Sequence, residues 1–289
     1  MSLAMRIIPR LDIKGPNLVK GINLEGLRVL GKSESFAKFY YEQGADELFY
    51  QDVVASLYGR NSLHETISRT AKEIFIPLTV GGGIRSIDDI SNILKAGADK
   101  VSINTAIIEK PELISTAADI YGSSTIVASI EAIKQKNGSY VAFTDNGRNS
   151  SGKEVISWAQ ELERLGAGEI LLTCVDHEGL GKGFNLTLAN KLCDAVKIPV
   201  VIHGGAGNQH HVLDLSRNVQ VSGVAIASLF HYHCILDNRQ IDGYEEEGNI
   251  EFLKSKKTLS NIEGSSVLDL KSFLLENKIP CRVWLEVNE

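Results

Sequence analysis

The sequence lacks the features of a membrane protein and of a disulfide-stabilised protein. No apolar run approaches the roughly 18 residues that mark a membrane-spanning helix, and no basic region followed by an apolar stretch marks a signal peptide. There are only four cysteines, none in a Cys-x-x-Cys pair, and their spacing fits neither a disulfide framework nor a zinc site. We therefore expect reduced cysteines, a cytoplasmic location and no bound metal.

Other absences narrow the range of functions. The net charge of −6 disfavours nucleic acids and anionic membranes as partners. Neither a P-loop nor a Rossmann fingerprint occurs, which argues against nucleotide hydrolysis and NAD chemistry. The hydrophobic fraction of 43% over 289 residues is ordinary for a soluble globular protein, and this length allows one large domain or two smaller ones.

Short apolar runs alternate with amphipathic helical stretches along most of the chain. The runs are rich in β-branched residues at successive positions, a pattern typical of parallel strands buried on both faces. Eight such strands with helices between them predict a closed (β/α)8 TIM barrel, with an open doubly wound sheet as the alternative. The predicted strands are Arg6–Asp12, Glu47–Val53, Pro77–Gly81, Lys100–Ile103, Thr125–Ile130, Glu169–Val175, Pro199–His203 and Gly223–Ala227.

The two halves of the sequence resemble each other. Gly44–Leu48 recurs as Gly166–Ile170, and the segment from Ile74 to Gly83 recurs at the same offset as the segment from Val196 to Gly205. The first and fifth predicted strands align at nearly this offset. The repeat predicts one barrel built from two similar four-strand halves.

The barrel pattern is interrupted near the C-terminus. Residues 235–266 are polar and rich in turn-forming residues, and Val267–Glu276 then has the pattern of an amphipathic helix. We therefore predict a single barrel domain over residues 1–289, with a polar insertion at about 235–266 before the last helix.

Two carboxylates follow equivalent strands of the two halves. Asp12 follows the first predicted strand and Glu131 the fifth, so the two lie on opposite sides of the catalytic face of a barrel. Such a pair can divide general acid and base work if their environments separate their pKa values. We predict that Asp12 and Glu131 are catalytic, although either could instead hydrogen-bond a nearby loop. Asp52 and Asp176 form a second equivalent pair at strand ends.

Glycine clusters follow the third and seventh predicted strands. Glycine lets backbone N–H groups approach a phosphate closely, and the N-terminus of the following helix adds a favourable dipole. Two such sets on opposite rims predict a small-molecule substrate with a phosphate at each end. Lys20 lies in a polar loop, Lys14–Gly31, that is long enough to close over a ligand. The predicted substrate-binding residues are Lys20, Gly82, Gly83, Asn104, Thr105, Asp176, Gly179, Gly204, Gly205, Ala227 and Ser228.

Charged residues stand at the opposite ends of four predicted strands, where apolar layers would otherwise close the barrel. They are Arg6, Glu47, Lys100 and Glu169. They could form a structural salt-bridge layer that plugs the floor, or a charged gate over an axial passage. Their spacing does not decide between these alternatives.

Together these residues resemble the cyclase subunit of imidazole glycerol phosphate synthase. The resemblance covers about residues 6–230 and resumes in the final helix. The related barrel isomerase of histidine biosynthesis shares the fold and both phosphate sites, but is not expected to keep the four charges of the floor. The segments that carry the resemblance are Arg6–Asp12, Val80–Ile84, Gly97–Thr105 and Gly166–Thr173.

The resemblance implies a specific reaction without metal or organic cofactor. A partner glutaminase docks on the barrel floor and releases ammonia, which travels along the barrel axis. At the far end it reacts with a bisphosphorylated ribulosyl formimino-carboxamide ribotide, giving imidazole glycerol phosphate and an aminoimidazole carboxamide ribotide. The resemblance assigns acid and base roles to Asp12 and Glu131 and substrate binding to Lys20. It also assigns the ammonia gate to Arg6, Glu47, Lys100 and Glu169.

The sequence departs from the family mainly on the catalytic face. Glu131 replaces an aspartate, Arg10 a small residue, His203 a serine and Asn185 an acidic residue, and the insertion at 235–266 has no counterpart. The extra methylene of a glutamate displaces the carboxylate by more than about 1 Å, and misplacement of this size can cost about 100-fold in rate.

These departures suggest a second hypothesis. The chain also resembles cyclase-like proteins encoded with surface-polysaccharide genes, which are thought to pair with a glutaminase and to supply ammonia to a sugar amidotransferase. Under this hypothesis the floor and the axial passage are retained for lipopolysaccharide biosynthesis, while the barrel mouth has a changed role.

Overall fold

The computed structural model describes residues 4–55, 63–236 and 261–282. The strands of these residues are β1 (Arg6–Lys14), β2 (Asn17–Ile22), β3 (Glu25–Lys32), β4 (Leu48–Asp52), β5 (Leu78–Gly81), β6 (Lys100–Ile103), β7 (Ile126–Lys134), β8 (Tyr140–Thr144), β9 (Asn149–Glu154), β10 (Glu169–Cys174), β11 (Val200–His203) and β12 (Gly223–Ile226). Eight of them form a closed parallel barrel in the order β1-β4-β5-β6-β7-β10-β11-β12, and β12 pairs with β1 to complete the circle. The predicted (β/α)8 barrel is therefore confirmed, and the open-sheet alternative is wrong.

Helices pack around the barrel through their apolar faces. They are α1 (Ser33–Glu42), α2 (His64–Glu73), α3 (Ile87–Ala96), α4 (Thr105–Glu109), α5 (Glu112–Tyr121), α6 (Val155–Arg164), α7 (Leu186–Ala195), α8 (Gln209–Asn218), α9 (Ser228–Leu236) and α10 (Val267–Glu276). Local signals set their ends: the Ser86 hydroxyl caps α3 by accepting the Asp89 N–H, and Gly97 ends it with a φ of 118° that favours glycine. Within the described ranges, no helix has the length and apolarity that a membrane crossing requires.

The last helix, α10, has the bounds that its amphipathic pattern predicts. Most of the insertion predicted at 235–266 lies outside the described residues.

Alternating side chains fill the barrel axis in layers, because successive residues of a strand point to opposite faces. One layer is entirely apolar and buried. Along β1, Arg6 precedes this layer and Arg10 follows it, so a charged floor and a polar mouth lie on either side. The apolar layer consists of Ile8, Phe49, Val127, Leu171, Val201 and Ala225.

The loop predicted at Lys14–Gly31 is instead a β-hairpin made of β2 and β3. Strand β2 continues antiparallel to β1, and the turn places Asn23 and Leu24 at positive φ. A second hairpin, β8–β9, extends β7 in the same way in the other half of the barrel. The sequence did not indicate these strands, because they lack the runs of successive β-branched residues that mark the barrel strands.

Candidate active site

A cavity of about 380 Å³ opens beside the carboxyl ends of β5, β6 and β7. We call it the mouth cavity. Its volume lies within the range of roughly 300–1,000 Å³ that is usual for small-molecule sites. It is lined by polar groups from several strands, including Arg10, Gln51, Gly82, Gly83, Ser102, Asn104, Thr105, Ser129 and Glu131.

The first predicted phosphate cradle consists of Gly82, Gly83, Asn104 and Thr105, and all four residues line the mouth cavity. Gly82 has a φ of 100°, and a Cβ atom there would lie 2.2 Å from the carbonyl oxygen of Asp52, so only glycine fits. The Asn104 side chain is held by a 3.1 Å bond from Nδ2 to the Phe143 carbonyl. The backbone is thus placed where an anionic group could approach it closely.

Glu131 is a buried acidic residue that lines this cavity. Burial raises its pKa to about 7, while the N–H of Gly147, which donates to Oε2 at 2.7 Å, and the charge of Arg10 act in the opposite direction. A carboxyl group with such a pKa can both accept and release a proton near neutral pH. Glu131 therefore has the properties of a general acid or base.

Asp12, the other predicted catalytic carboxylate, does not line the mouth cavity. It is buried, and its Oδ1 atom accepts a 2.9 Å hydrogen bond from Nε of Arg10. The Nη1 atom of Arg10 reaches Thr173 Oγ1 and His203 Nδ1, each at 3.2 Å. The two carboxylates of the repeat therefore have different environments: Glu131 faces open space, and Asp12 is paired with a cation.

His203 is held in the neutral form. Burial lowers its pKa well below the usual value, and the positive charges of Arg10 and Lys20 lower it further. Its Nδ1 atom can therefore accept a hydrogen bond from the guanidinium of Arg10. The imidazole of His203 thereby helps to fix the orientation of Arg10.

The second predicted cradle encloses very little space. Gly179, Gly204, Gly205, Ala227 and Ser228 line a volume of about 10 Å³, which is about the space that one water molecule occupies. The turn at 178–183 covers it: the N–H of Gly183 donates to the carbonyl of Gly205 at 2.8 Å. In this conformation the first cradle borders a cavity large enough for a small molecule, whereas the second has room for about one water molecule.

Lys20 lies on β2, and its ammonium group bonds to Oε1 of Glu178. The other carboxylate oxygen of Glu178 accepts the N–H of Leu24 at 3.0 Å, so this one side chain fastens the β2–β3 hairpin to the turn at 178–183. Sequence reasoning missed Glu178. One signal in the sequence could have identified it: Glu178 is an acidic residue within a glycine-rich segment that follows a predicted strand.

The second pair of aspartates does not contact the mouth cavity. Asp52 is buried, and its Oδ1 atom accepts the N–H groups of Val54 and Ala55 at 3.0 and 2.9 Å. Asp176 is exposed beyond the end of β10 and accepts the N–H of Lys134 at 2.7 Å. Asp52 stabilises the turn after β4, whereas Asp176 connects the segment after β10 to the backbone at the end of β7.

The four charges of the floor form a closed ring. Arg6 contacts Glu47 at 2.8 Å and Glu169 at 3.0 Å, and Lys100 contacts the same two carboxylates at 3.0 and 3.1 Å. The side chains of Arg6 and Lys100 are 20% and 18% exposed, whereas the carboxylates are nearly buried. The cations are thus the part of the ring that an approaching molecule would meet.

Apolar side chains are exposed around this ring. Phe75, just before β5, is 81% exposed, and its ring contacts Tyr41 with a centroid distance of 6.2 Å. Ile120, at the end of α5 on the same side of the barrel, is 56% exposed. Large exposed apolar side chains beside a polar rim are typical of protein interfaces.

No group of three or more His, Cys, Asp or Glu side chains is arranged to hold a metal ion within the part of the chain that the structure describes. His231, which a metal site could have used, is buried and bonds through Nδ1 to the Tyr40 hydroxyl at 2.6 Å. That the reaction needs no metal or cofactor stays a prediction.

A closed (β/α)8 barrel with a titratable carboxylate and a glycine cradle in a mouth cavity defines a barrel enzyme that acts on an anionic small molecule. Residues 6–235 match the family described as "Histidine biosynthesis protein", and the chain belongs to this family. The resemblance stated from the motifs is therefore confirmed.

Two relatives illustrate the similarity. The chain is 56% identical over 203 residues to the imidazole glycerol phosphate synthase subunit HisF of Legionella pneumophila, a match that covers 70% of this chain and 96% of that relative. It is 48% identical over 231 residues to the subunit of the same name from Lactococcus lactis subsp. lactis (strain IL1403), covering 80% and 89%.

Proposed function

We propose that this chain is the cyclase subunit of an imidazole glycerol phosphate synthase. It uses ammonia to convert a bisphosphorylated ribulosyl formimino-carboxamide ribotide into imidazole glycerol phosphate and an aminoimidazole carboxamide ribotide, in histidine biosynthesis. One observation carries the proposal: the ring of Arg6, Glu47, Lys100 and Glu169 closes one end of the axis, opposite the mouth cavity. The related barrel isomerase uses no ammonia and is not expected to keep these four charges.

In the mouth, one phosphate of the substrate binds to the cradle of Gly82, Gly83, Asn104 and Thr105. Glu131 lies in the same cavity and transfers protons during ring closure, which its pKa of about 7 supports. Asp12 is the second carboxylate of the reaction. It supplies negative charge next to Arg10, and its proton transfer requires that the ion pair be rearranged.

The other phosphate binds to Gly204, Gly205, Ala227 and Ser228. Because the space there is now about 10 Å³, binding requires the turn at 178–183 to move away. The Lys20–Glu178 bond fastens the hairpin to this turn, so this bond must break before the turn can move away. In this proposal Lys20 is released from Glu178 and contacts the substrate, and Gly179 lies beside the phosphate. Asp176 joins the site only after this movement.

We further propose that a glutaminase subunit docks on the floor as the partner in a heterodimer. Phe75 and Ile120 offer apolar contacts around the ring, and Arg6 and Lys100 face the partner. Their positive charge disfavours ammonium, whereas neutral ammonia can pass into the apolar layer around Ile8 and Phe49.

We expect the enzyme to work in the cytoplasm. All four cysteines lie among the described residues, and no disulfide joins any of them.

The proposal is tested by mixing the purified chain with the ribulosyl substrate and an ammonium salt at alkaline pH, and by following both products chromatographically. Turnover is expected, and Asp12→Asn and Glu131→Gln are each expected to lower it by about 100-fold or more. The matched control is Arg69→Ala, which removes an exposed arginine on α2 that pairs with Glu34.

A negative result would point to the second hypothesis. If the chain shows no turnover but supplies ammonia to a sugar amidotransferase, the surface-polysaccharide role replaces the cyclase role. None of the comparisons favours that role, since both relatives carry the name of the synthase subunit.

A further inference from the structure

Arg10 is held firmly by three side chains, which contact two of the three nitrogens of its guanidinium group. Nε donates to Asp12 at 2.9 Å, and Nη1 contacts Thr173 and His203 at 3.2 Å each. The guanidinium also lies over the Phe49 ring, 5.7 Å from its centroid. Because Arg10 is only 3% exposed, these contacts fix its orientation.

The remaining nitrogen of the guanidinium, Nη2, makes no hydrogen bond to any described residue. The buried polar side-chain atoms that lack a partner in the described chain are Ser102 Oγ, Trp158 Nε1 and His231 Nε2. Nη2 also lacks a partner but does not belong to this fully buried group, so part of its surface is accessible. Arg10 lines the mouth cavity, and Nη2 is the guanidinium nitrogen whose two N–H donors remain for a ligand bound there.

Ser102 provides an independent indication from another strand of the barrel. This residue is 3% exposed, it lines the same mouth cavity, and its hydroxyl has no hydrogen-bond partner in the described residues. Buried polar groups are nearly always paired in native proteins. An unpaired buried hydroxyl on a residue that lines a cavity indicates that a polar group of a ligand completes its hydrogen bonding.

We propose that Arg10 is a ligand-binding residue that determines the specificity of the mouth cavity. Its Nη2 atom donates to an acceptor oxygen on the carbon chain of a sugar phosphate whose phosphate lies in the cradle of Gly82, Gly83, Asn104 and Thr105. The hydroxyl of Ser102 contacts the same carbon chain. This inference rests on the proposed function, which supplies the phosphate-bearing ligand.

The chemistry of the site favours a carbonyl or hydroxyl oxygen as the group that Arg10 binds. The guanidinium has donors and no acceptor, so its partner must be an acceptor. It is already oriented by Asp12, Thr173 and His203, so little further side-chain entropy is lost on binding. Lysine at this position would keep the charge but would lose the fixed fork of donors.

The test compares two probes, inorganic phosphate and ribulose 5-phosphate, by isothermal titration calorimetry. The cradle alone can bind both, whereas only the second has a carbon chain that can reach Arg10. We expect the unmodified protein to bind ribulose 5-phosphate at least about tenfold more tightly, the effect of one hydrogen bond to a charged group. In Arg10→Lys this ratio should fall towards one, with the affinity for phosphate unchanged within about twofold.

A second variant keeps the test decisive if the single substitution perturbs folding. Arg10→Ala combined with Asp12→Asn removes both members of the ion pair, so no buried charge is left without its partner. It should also bring the ratio close to one. The control, Arg69→Lys on the outside of α2, should leave both affinities unchanged.

Each outcome has a distinct meaning. A ratio that stays high in both folded variants, or that is already close to one in the unmodified protein, overturns the role of Arg10 and leaves the phosphate cradle standing. If neither probe binds the unmodified protein, the phosphate cradle of the proposed function fails, and the inference fails with it.

Discussion

Nε of Arg10 and Oδ1 of Asp12 lie 2.9 Å apart, and the two side chains are only 4% and 2% exposed. This ion pair distinguishes two carboxylates that the internal repeat makes equivalent. Among the described residues, no salt bridge joins Glu131 to a cation, and burial raises its pKa to about 7. The contacts of Arg10 with Asp12 and the burial of Glu131 thus give the two halves of the barrel different chemical environments.

We predict that Asp12→Asn lowers the free energy of unfolding by about 3–5 kcal/mol, because the guanidinium of Arg10 would remain buried without its counter-ion. Urea unfolding measures this change. The matched control is Glu73→Gln, which breaks the exposed pair with Lys38 and should leave the free energy of unfolding almost unchanged. If the two variants lose equal free energy of unfolding, the buried guanidinium of Arg10 does not need Asp12 as its counter-ion, and the prediction is wrong.

The raised pKa of Glu131 predicts that the free energy of unfolding decreases as the pH rises. Its pKa rises from 4.5 to about 7 on folding. The native state therefore retains the proton over a range where the unfolded state has lost it, and native stability falls as the pH rises through about 7. Relative to Glu131→Gln, the unmodified protein should lose about 3 kcal/mol between about pH 4 and pH 8.

This pH dependence is measured by urea unfolding of both proteins at several pH values. The amide that Glu131→Gln introduces keeps an acceptor oxygen for the N–H of Gly147, so the comparison isolates the titration. Parallel curves for the two proteins, or a difference that grows as the pH falls, would contradict the predicted pKa shift.

Much of the site was predictable, because it depends on strand ends and on alternation along strands. The positions of Gly82 and Glu131 follow from the repeat and from the rule that barrel sites lie at the carboxyl ends of strands. The ring of charges follows in the same way: Arg6 and Lys100 stand at the opposite strand ends and point into the axis.

The remaining features depend on contacts between segments that are distant in the sequence. Lys20 meets Glu178 across 158 positions, and Arg10 reaches Thr173 across 163, so no local pattern could indicate either contact. The volume beside Gly205 depends on how the hairpin and the turn at 178–183 pack together. The sequence therefore predicts which groups face the mouth, and the packing decides which of them are open to a ligand.

The ring on the floor should couple glutamine hydrolysis to synthesis. Lys100→Gln leaves Glu47 and Glu169 with Arg6 as their only cation in the ring, so the ring gains a net negative charge. We expect glutamine-driven turnover with the glutaminase partner to fall by about tenfold relative to ammonium-driven turnover, a barrier change of about 1.4 kcal/mol for ammonia passage. Steady-state rates with the two nitrogen sources measure the ratio.

The control for this variant is Lys38→Gln, in which an exposed lysine of α1 is replaced outside the ring. Its ratio of the two rates should equal that of the unmodified protein. If Lys100→Gln lowers both rates equally, the ring contributes to the general integrity of the barrel and does not control ammonia passage.

Phe75 should be an anchor for the partner subunit. It is 81% exposed on the floor side, so Phe75→Ala should hardly change the stability of the isolated chain. A large aromatic residue at the centre of an interface often contributes about 2 kcal/mol or more, which predicts at least a roughly tenfold weaker complex with the glutaminase. Titration calorimetry of the two purified subunits measures this loss.

The control is Ile22→Ala, which removes an exposed apolar side chain from the hairpin at the mouth, the opposite end of the barrel. It should leave the affinity for the glutaminase unchanged. A complex that is unaffected by Phe75→Ala would place the partner on another surface.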